Sequence, residues 1–195
     1  NTLSGSGTLL VNFSGSENGT DLYTPTFKIQ QGTTSEFTGM VELAGEKNKK
    51  VVYILDSDEL STSGIRVSDN SVLSVGRDDS SKETFTLGKL DIAGGELNIG
   101  DIQTGSPTSN KTIRVTKKLN ADGEGIVRID TSAGFINAVP ATESELETLP
   151  LMEQDDGLQK TSMMLVNAKG AEIIGSGGGL SLVDQNGKVL SNALT

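Results

Sequence analysis

The 195-residue chain has no histidine, no cysteine and no tryptophan, only four prolines, and 4 % aromatic residues. Each absence closes a class of chemistry. Without imidazole or thiol, neither a Ser-His-Asp nor a Cys-His centre can be assembled, and zinc sites that need those ligands are excluded. No disulfide can form. No stretch of 18 apolar residues occurs, so no helix is expected to cross a membrane. Scarce large rings leave Val, Ile and Leu to build the core in layers of similar size. Scarce proline leaves strand amides free to pair.

The chain is acidic, with 26 Asp plus Glu against 16 Lys plus Arg and a net charge of −10. Such a surface repels nucleic acid and anionic lipid, so no nucleic-acid partner is expected. Twenty-four glycines supply corners. Between them recur short words of alternating apolar and polar residues: Thr8-Leu9-Leu10-Val11, Met40-Val41-Glu42-Leu43, Gly64-Ile65-Arg66-Val67, Leu90-Asp91-Ile92, Glu96-Leu97-Asn98-Ile99 and Ile126-Val127-Arg128-Ile129. This is the pattern of strands with one buried face, and it makes the chain all-β. Equivalent words lie roughly 20–25 residues apart, a spacing that suits one three-sided rung of a parallel β-helix. The expected interior is Leu9, Val11, Val41, Leu43, Val52, Ile54, Ile65, Val67, Leu90, Ile92, Leu97, Ile99, Ile126, Val127 and Ile129.

The rhythm breaks at residues 139–160. Pro140 and Pro150 bracket Thr142-Glu143-Ser144-Glu145-Leu146-Glu147, where Thr142 and Glu145 match a capping box and predict a short helix. Glu153, Asp155 and Asp156 continue the acidity. The segment reads as an acidic, partly helical excursion loop projecting from the stack. Glu143, Glu145, Glu147, Glu153, Asp155 and Asp156 are the candidate partner-binding residues, since an exposed acidic loop attracts basic patches on other proteins. A solubilising spacer is the plainer reading of the same charges.

Other motif-like strings are weaker. Gly175-Ser176-Gly177-Gly178-Gly179 lacks the Lys-Ser/Thr of a phosphate loop and reads as a bend. Asp56-Ser57-Asp58-Glu59 starts like a calcium loop, but Leu60, Ser61 and Val67 occupy positions that would need Asn or Asp, Gly and Glu. It reads as a solvated loop. Lys47-Asn48-Lys49-Lys50 is the one basic run and reads as a strand connection.

Leu3-Ser4-Gly5-Ser6-Gly7-Thr8-Leu9, then Phe37-Thr38-Gly39 with Val41 and Leu43, resembles a repeated phrase of autotransporter passenger domains of Gram-negative bacteria. Gly94-Gly95-Glu96-Leu97-Asn98-Ile99 is similar to rungs of the same family, and Leu180-Ser181-Leu182-Val183-Asp184-Gln185-Asn186-Gly187 to the stretch before its autochaperone end. The resemblance implies a right-handed parallel β-helix, with residues 1–195 one segment of a longer passenger. It implies export through the outer membrane to the cell surface, retained or released, by a C-terminal translocator barrel of the same precursor. The absent initiator methionine is in keeping with an excised segment, and the absent cysteines with a chain exported unbridged. The roles implied are adhesion to a host extracellular-matrix protein or surface glycan, and self-association that builds aggregates and biofilm. No catalytic, cofactor or metal residue carries over, and the chain is expected not to be an enzyme. The alternative is a carbohydrate-active β-helix, a polysaccharide lyase or hydrolase, which would need acidic residues converging in one groove.

Overall fold

The computed structural model describes residues 3–12, 26–29, 36–47, 49–76, 82, 84–99, 111–120, 123–129, 147–155, 160–167, 172–174, 180–183 and 187–191. Among the described residues every regular element is a strand. In chain order they are β1 (Ser4–Gly5), β2 (Thr8–Asn12), β3 (Thr26–Phe27), β4 (Glu36–Phe37), β5 (Met40–Ala44), β6 (Val51–Leu55), β7 (Gly64–Ser68), β8 (Ser71–Val75) and β9 (Thr84–Ala93). There follow β10 (Glu96–Ile99), β11 (Lys111–Asn120), β12 (Gly125–Ile129), β13 (Glu147–Asp155), β14 (Lys160–Asn167), β15 (Glu172–Ile174), β16 (Leu180–Val183) and β17 (Val189–Ser191).

Alternation along each strand sends its apolar residues to one face, and parallel pairing then stacks them in rows. In an eight-stranded sheet, ordered β13-β14-β11-β9-β7-β5-β2 with β15 also on β11, one inward row runs Leu9, Val41, Ile65, Leu90, Leu119. The next inward row runs Val11, Leu43, Val67, Ile92. A seven-stranded sheet, ordered β17-β16-β12-β10-β8-β6-β3, contributes Tyr53, Leu73, Leu97 and Val127 in one row and Leu55, Val75 and Ile99 in another. Both sets belong to one hydrophobic cluster. Each fully buried side chain of this size contributes about 1.5–3 kcal/mol.

The chain passes from one sheet to the other at tight corners. Asn70, between β7 and β8, has φ 55°, a left-handed conformation that Asn tolerates. Gly94, between β9 and β10, has φ +94°, where any side chain would be strained. Gly125 answers a different need. A Cβ there would lie 2.7 Å from Ile92 Cγ2 and 3.2 Å from Leu180 Cδ2, so the missing side chain makes room for its two core neighbours.

The expected closed, three-sided β-helix is corrected. The strands fall into separate sheets of two, seven and eight strands, and the third side is not a continuous ladder. It begins as the two-stranded pair β1–β4, and the turn 56–63 takes the next place. There the Thr62 hydroxyl donates to Phe37 O at 3.0 Å, and Leu60 O accepts the Gly88 N–H at 3.0 Å. Beyond it the line merges into the long strands β9 and β11, whose register shifts between Val115 and Lys118. Nor is the pairing parallel throughout, because β13 and β17 are antiparallel edges.

The helical excursion is corrected as well. Residues 147–155 form strand β13, paired antiparallel with β14. Proline stops a helix and is tolerated on an edge strand at an irregularity, and Pro150 sits at the register shift of this edge strand. The capping box at Thr142 and Glu145 lies outside the described residues.

The core is as expected at Val41, Leu43, Ile65, Val67, Leu90, Ile92, Leu97, Ile99 and Val127, while Leu9 and Val11 are partly buried against it. Val52, Ile54 and Ile126 are a phase error: their register neighbours are Val72, Ser74 and Glu96, on the opposite face of the sheet from Tyr53 and Leu73. That opposite face is also covered at its centre, with Ile54, Val72 and Ser74 buried. A strand buried on both faces reads as a continuous apolar run with no alternation to reveal its phase. The side chain of Ile129 lies outside the description. Rings also enter the core after all, as Phe37, Tyr53 and Phe85.

Two substitutions test this packing by thermal or denaturant unfolding. Leu73→Ala, at an inward site with 0 % exposure, should cost about 2–5 kcal/mol, whereas Val52→Thr at a half-buried site on the other face should cost clearly less. Equal losses would refute the assigned phase. Ser63 is fully buried and its hydroxyl has no partner, so Ser63→Ala should stabilise the fold by about 1 kcal/mol.

Candidate binding surfaces

The outward face of the eight-stranded sheet collects the polar members of the strand words. One row runs Leu10, Glu42, Arg66, Asp91, Asn120, and its neighbour runs Thr8, Met40, Gly64, Lys89, Lys118. Asp91 organises the first row: Arg66 Nη1 lies 3.7 Å from its Oδ2, and Asn120 Nδ2 donates to Oδ1 at 3.0 Å. In the second row, a Cβ on Gly64 would sit 2.6 Å from Lys89 Cβ, so the absence of one lets Met40 and Lys89 close over the backbone. The two rows put Glu42, Arg66, Lys89, Asp91, Lys118 and Asn120 on one outward face, with Leu10, Thr8 and Met40 at its β2–β5 end.

A second cluster lies at the acidic turn after β6. Asp56 is buried and takes an ion pair from Lys28 at 2.7 Å. Asp58 accepts the Thr86 N–H at 2.7 Å and pairs with Lys82 at 3.0 Å, while Lys82 also sits 5.5 Å from the Phe85 ring centre. Glu59 accepts hydrogen bonds from the Tyr53 hydroxyl, at 3.1 Å, and from the Ser57 hydroxyl. Burial pushes the Glu59 carboxyl above its ordinary value of 4.5, with the charge of Asp56 adding to the rise and the hydrogen bonds opposing it. Burial, then the Glu59 carboxylate, raises Tyr53 far out of the physiological range. The expected solvated loop is therefore a strapped turn. Among the described residues no group of three or more carboxylates is arranged to hold a metal ion.

A third cluster lies on the far face of the seven-stranded sheet. Glu96 is buried, with Arg128 Nε donating to Oε1 at 2.6 Å and Lys50 at 3.4 Å from Oε2. Burial alone would raise this carboxyl, but Arg128 and then Lys50 outweigh it and hold it below 4.5. Asn98, on the same strand, keeps a buried Oδ1 without a partner. The basic run resolves into structure: Lys49 pairs with Glu46 across the β5–β6 connection, and Lys50 serves Glu96.

Of the six acidic residues singled out in the sequence, Glu143, Glu145 and Asp156 lie outside the described residues. Glu147, Glu153 and Asp155 share strand β13, opposite Asn167, Ser162 and Lys160 in register. Charge density drew attention to this segment, whereas Arg66, Lys89, Asp91, Lys118 and Asn120 come together only through register. Their one signal in the sequence is the polar phase of each strand word.

No family model matches the chain, and no solved structure matches it. It is similar to YuaQ, an uncharacterized protein of Escherichia coli (strain K12), with 30 % identity over 170 residues. The matched stretch is 85 % of this chain and spans 11 % of the relative's length.

The two buried carboxylates should report on pH with opposite signs. Glu59, raised in the fold, contributes stability that is full below 4.5 and lost as pH climbs through its elevated value. Glu96, lowered in the fold, contributes stability present above 4.5 and lost as pH falls through its depressed value. In thermal melts from acid to neutral pH, Glu59→Gln should gain on the wild type as pH rises, and Glu96→Gln should fall behind it. Curves for both variants that stay parallel to the wild type would overturn both assignments.

Proposed function

We propose that this chain is a surface-displayed segment of an exported protein, a passenger of the autotransporter type. It acts by adhesion to matrix protein or glycan, or by self-association between cells. The observation that carries the reading is the outward face of the eight-stranded sheet. Parallel register sets Glu42, Arg66, Asp91 and Asn120 side by side on successive strands, a surface suited to extended partners. The passenger-like phrases in the sequence support it, as does similarity to a short stretch of a much longer protein. The acidic residues Glu143, Glu145, Glu147, Glu153, Asp155 and Asp156 are a second contact region for basic partners. The lyase or hydrolase alternative gains less support, because the carboxylates of Asp56, Asp58 and Glu96 are each engaged by a cation.

Display of the chain on a non-adherent bacterial strain tests the proposal. Displaying cells should settle faster than cells with an empty carrier, or adhere to immobilised matrix proteins or glycans. Replacing the six acidic residues by their amides should weaken attachment to basic matrix proteins and reduce its salt sensitivity, since exposed charges are screened within about 8 Å at physiological ionic strength. Cells that neither settle nor adhere would remove the basis of the reading.

A further inference from the structure

The core is closed unevenly along the stack. The partly buried hydrophobic residues packed against it are Leu3, Leu9, Val11, Phe27 and Ile29, all from the first pass of the chain. Val41 and Leu43, which pair with Leu9 and Val11, are 0 % exposed. Strands β1, β2 and β3 of that first pass stand at the edges of their three sheets. None of the three carries a charged residue, on a chain of net charge −10. Edge strands are ordinarily guarded by charge or proline. The opposite edge of the eight-stranded sheet follows that rule, since β13 holds Glu147, Glu153, Asp155 and Pro150. Strand β2 breaks it, and its central Leu10 is 53 % exposed.

The backbone phase of β2 is fixed by its partner. Met40 donates to Gly7 O at 3.1 Å, and along a strand the N–H and C=O of alternate residues point to the same side. Those of Gly7, Leu9 and Val11 therefore face β5, and those of Thr8, Leu10 and Asn12 face away from it, toward a side with no described strand. We propose that β2 is a self-pairing edge, to which a second copy of this chain adds its own β2, antiparallel, about a two-fold axis through Leu10. The proposal goes beyond surface display and does not depend on it. Under that symmetry Leu10 meets Leu10 of the partner subunit, Leu9 meets Val11 of the partner subunit, and Thr8 meets Asn12 of the partner subunit. Opposite residues of an antiparallel pair point to one face. Leu9 and Val11 thus stay inward and join the two cores, while the exposed Leu10 pair covers itself outside. The backbone groups that face away from β5 are the ones the pairing needs, because Leu10 exchanges both bonds with its counterpart and Thr8 exchanges both with Asn12 of the partner subunit. Any strand could use those groups. The reciprocal match of Leu9 with Val11, and of Leu10 with itself, commits the edge to a second copy.

Sedimentation of the soluble chain over a range of concentrations tests the pairing. It should form a dimer, and added salt should tighten it, because screening weakens the repulsion between two copies of net charge −10. Leu10→Lys would set two cations opposite each other at the axis and should weaken the dimer about tenfold or more. Val189→Lys, at an equally exposed site on another edge strand, should leave it unchanged. The chain has no cysteine, so single introduced thiols map the register: directly opposite Cα atoms would lie about 5.5 Å apart, within disulfide reach. Under mild oxidation Leu10→Cys should cross-link to itself, Thr8→Cys alone should not, and Thr8→Cys mixed with Asn12→Cys should. Melting curves of dilute samples establish that each variant folds, and the Thr8 and Asn12 thiols test the register independently of any change at Leu10. A strict monomer at every concentration, whether the edge stays bare or another segment of chain takes it, would overturn the proposal. So would a dimer that Leu10→Lys leaves intact, or one that cross-links as readily through Thr8→Cys alone. If the dimer forms while displaying cells neither settle nor adhere, the pairing stands and the surface reading falls. If the chain is monomeric while they do, the pairing falls and the surface reading stands.

Discussion

The whole structure depends on one constraint: parallel strands from successive passes of the chain must pair in register, so that each aliphatic side chain lands on its like. The rows Leu9–Val41–Ile65–Leu90–Leu119 and Tyr53–Leu73–Leu97–Val127 are consequences of that rule, and the shared core follows from bringing the two rows face to face. A slip by one residue would turn every such side chain outward. The same rule fixes the outer surface. Once Val41, Ile65 and Leu90 are aligned inward, Glu42, Arg66 and Asp91 have no choice but to align outward.

Polar groups enter this scaffold where the ladders are interrupted or covered. The turn at 56–63 stands where a strand would continue the small sheet, and its side chains replace ladder hydrogen bonds with bonds of their own: Asp58 to the Thr86 N–H, Thr62 to Phe37 O. Glu96 lies on a strand whose far face is covered, and Arg128 and Lys50 compensate its charge. Removing a partner from such a pair is far more damaging than the pair is stabilising. These groups set where the fold can vary more than how stable it is.

Much of the fold was legible from the strand words. Val41, Leu43, Ile65, Val67, Leu90, Ile92, Leu97 and Ile99 sit inward, and their phase could be read because each has a polar residue on at least one side. Val51 to Leu55 gave no such clue, since all five are apolar and the strand is largely buried on both faces. Leu60 was invisible because it reaches the core from a turn. Strand β13 was hidden by a helix-like capping pattern and a proline, and only pairing with β14 decides it. The binding surface was the least legible part. Acidic residues close in sequence stand out to the eye, whereas Lys89 and Lys118 become neighbours only once the register of β9 and β11 is known.

The order of the strands also bears on how the molecule would respond to tension. From β2 to β11, neighbours in the eight-stranded sheet come from successive passes: Val41 pairs with Ile65, and Ile65 with Leu90. A pull on the two ends of the chain would therefore load the outermost ladder first, peeling it bond by bond while the rows behind stay intact. Each pass released would add the contour of the residues between two paired strands, on the order of 80 Å at 3.3–3.6 Å per residue. Under shear the scaffold would yield in instalments rather than rupture at once, lengthening as a tether whose remaining part stays folded.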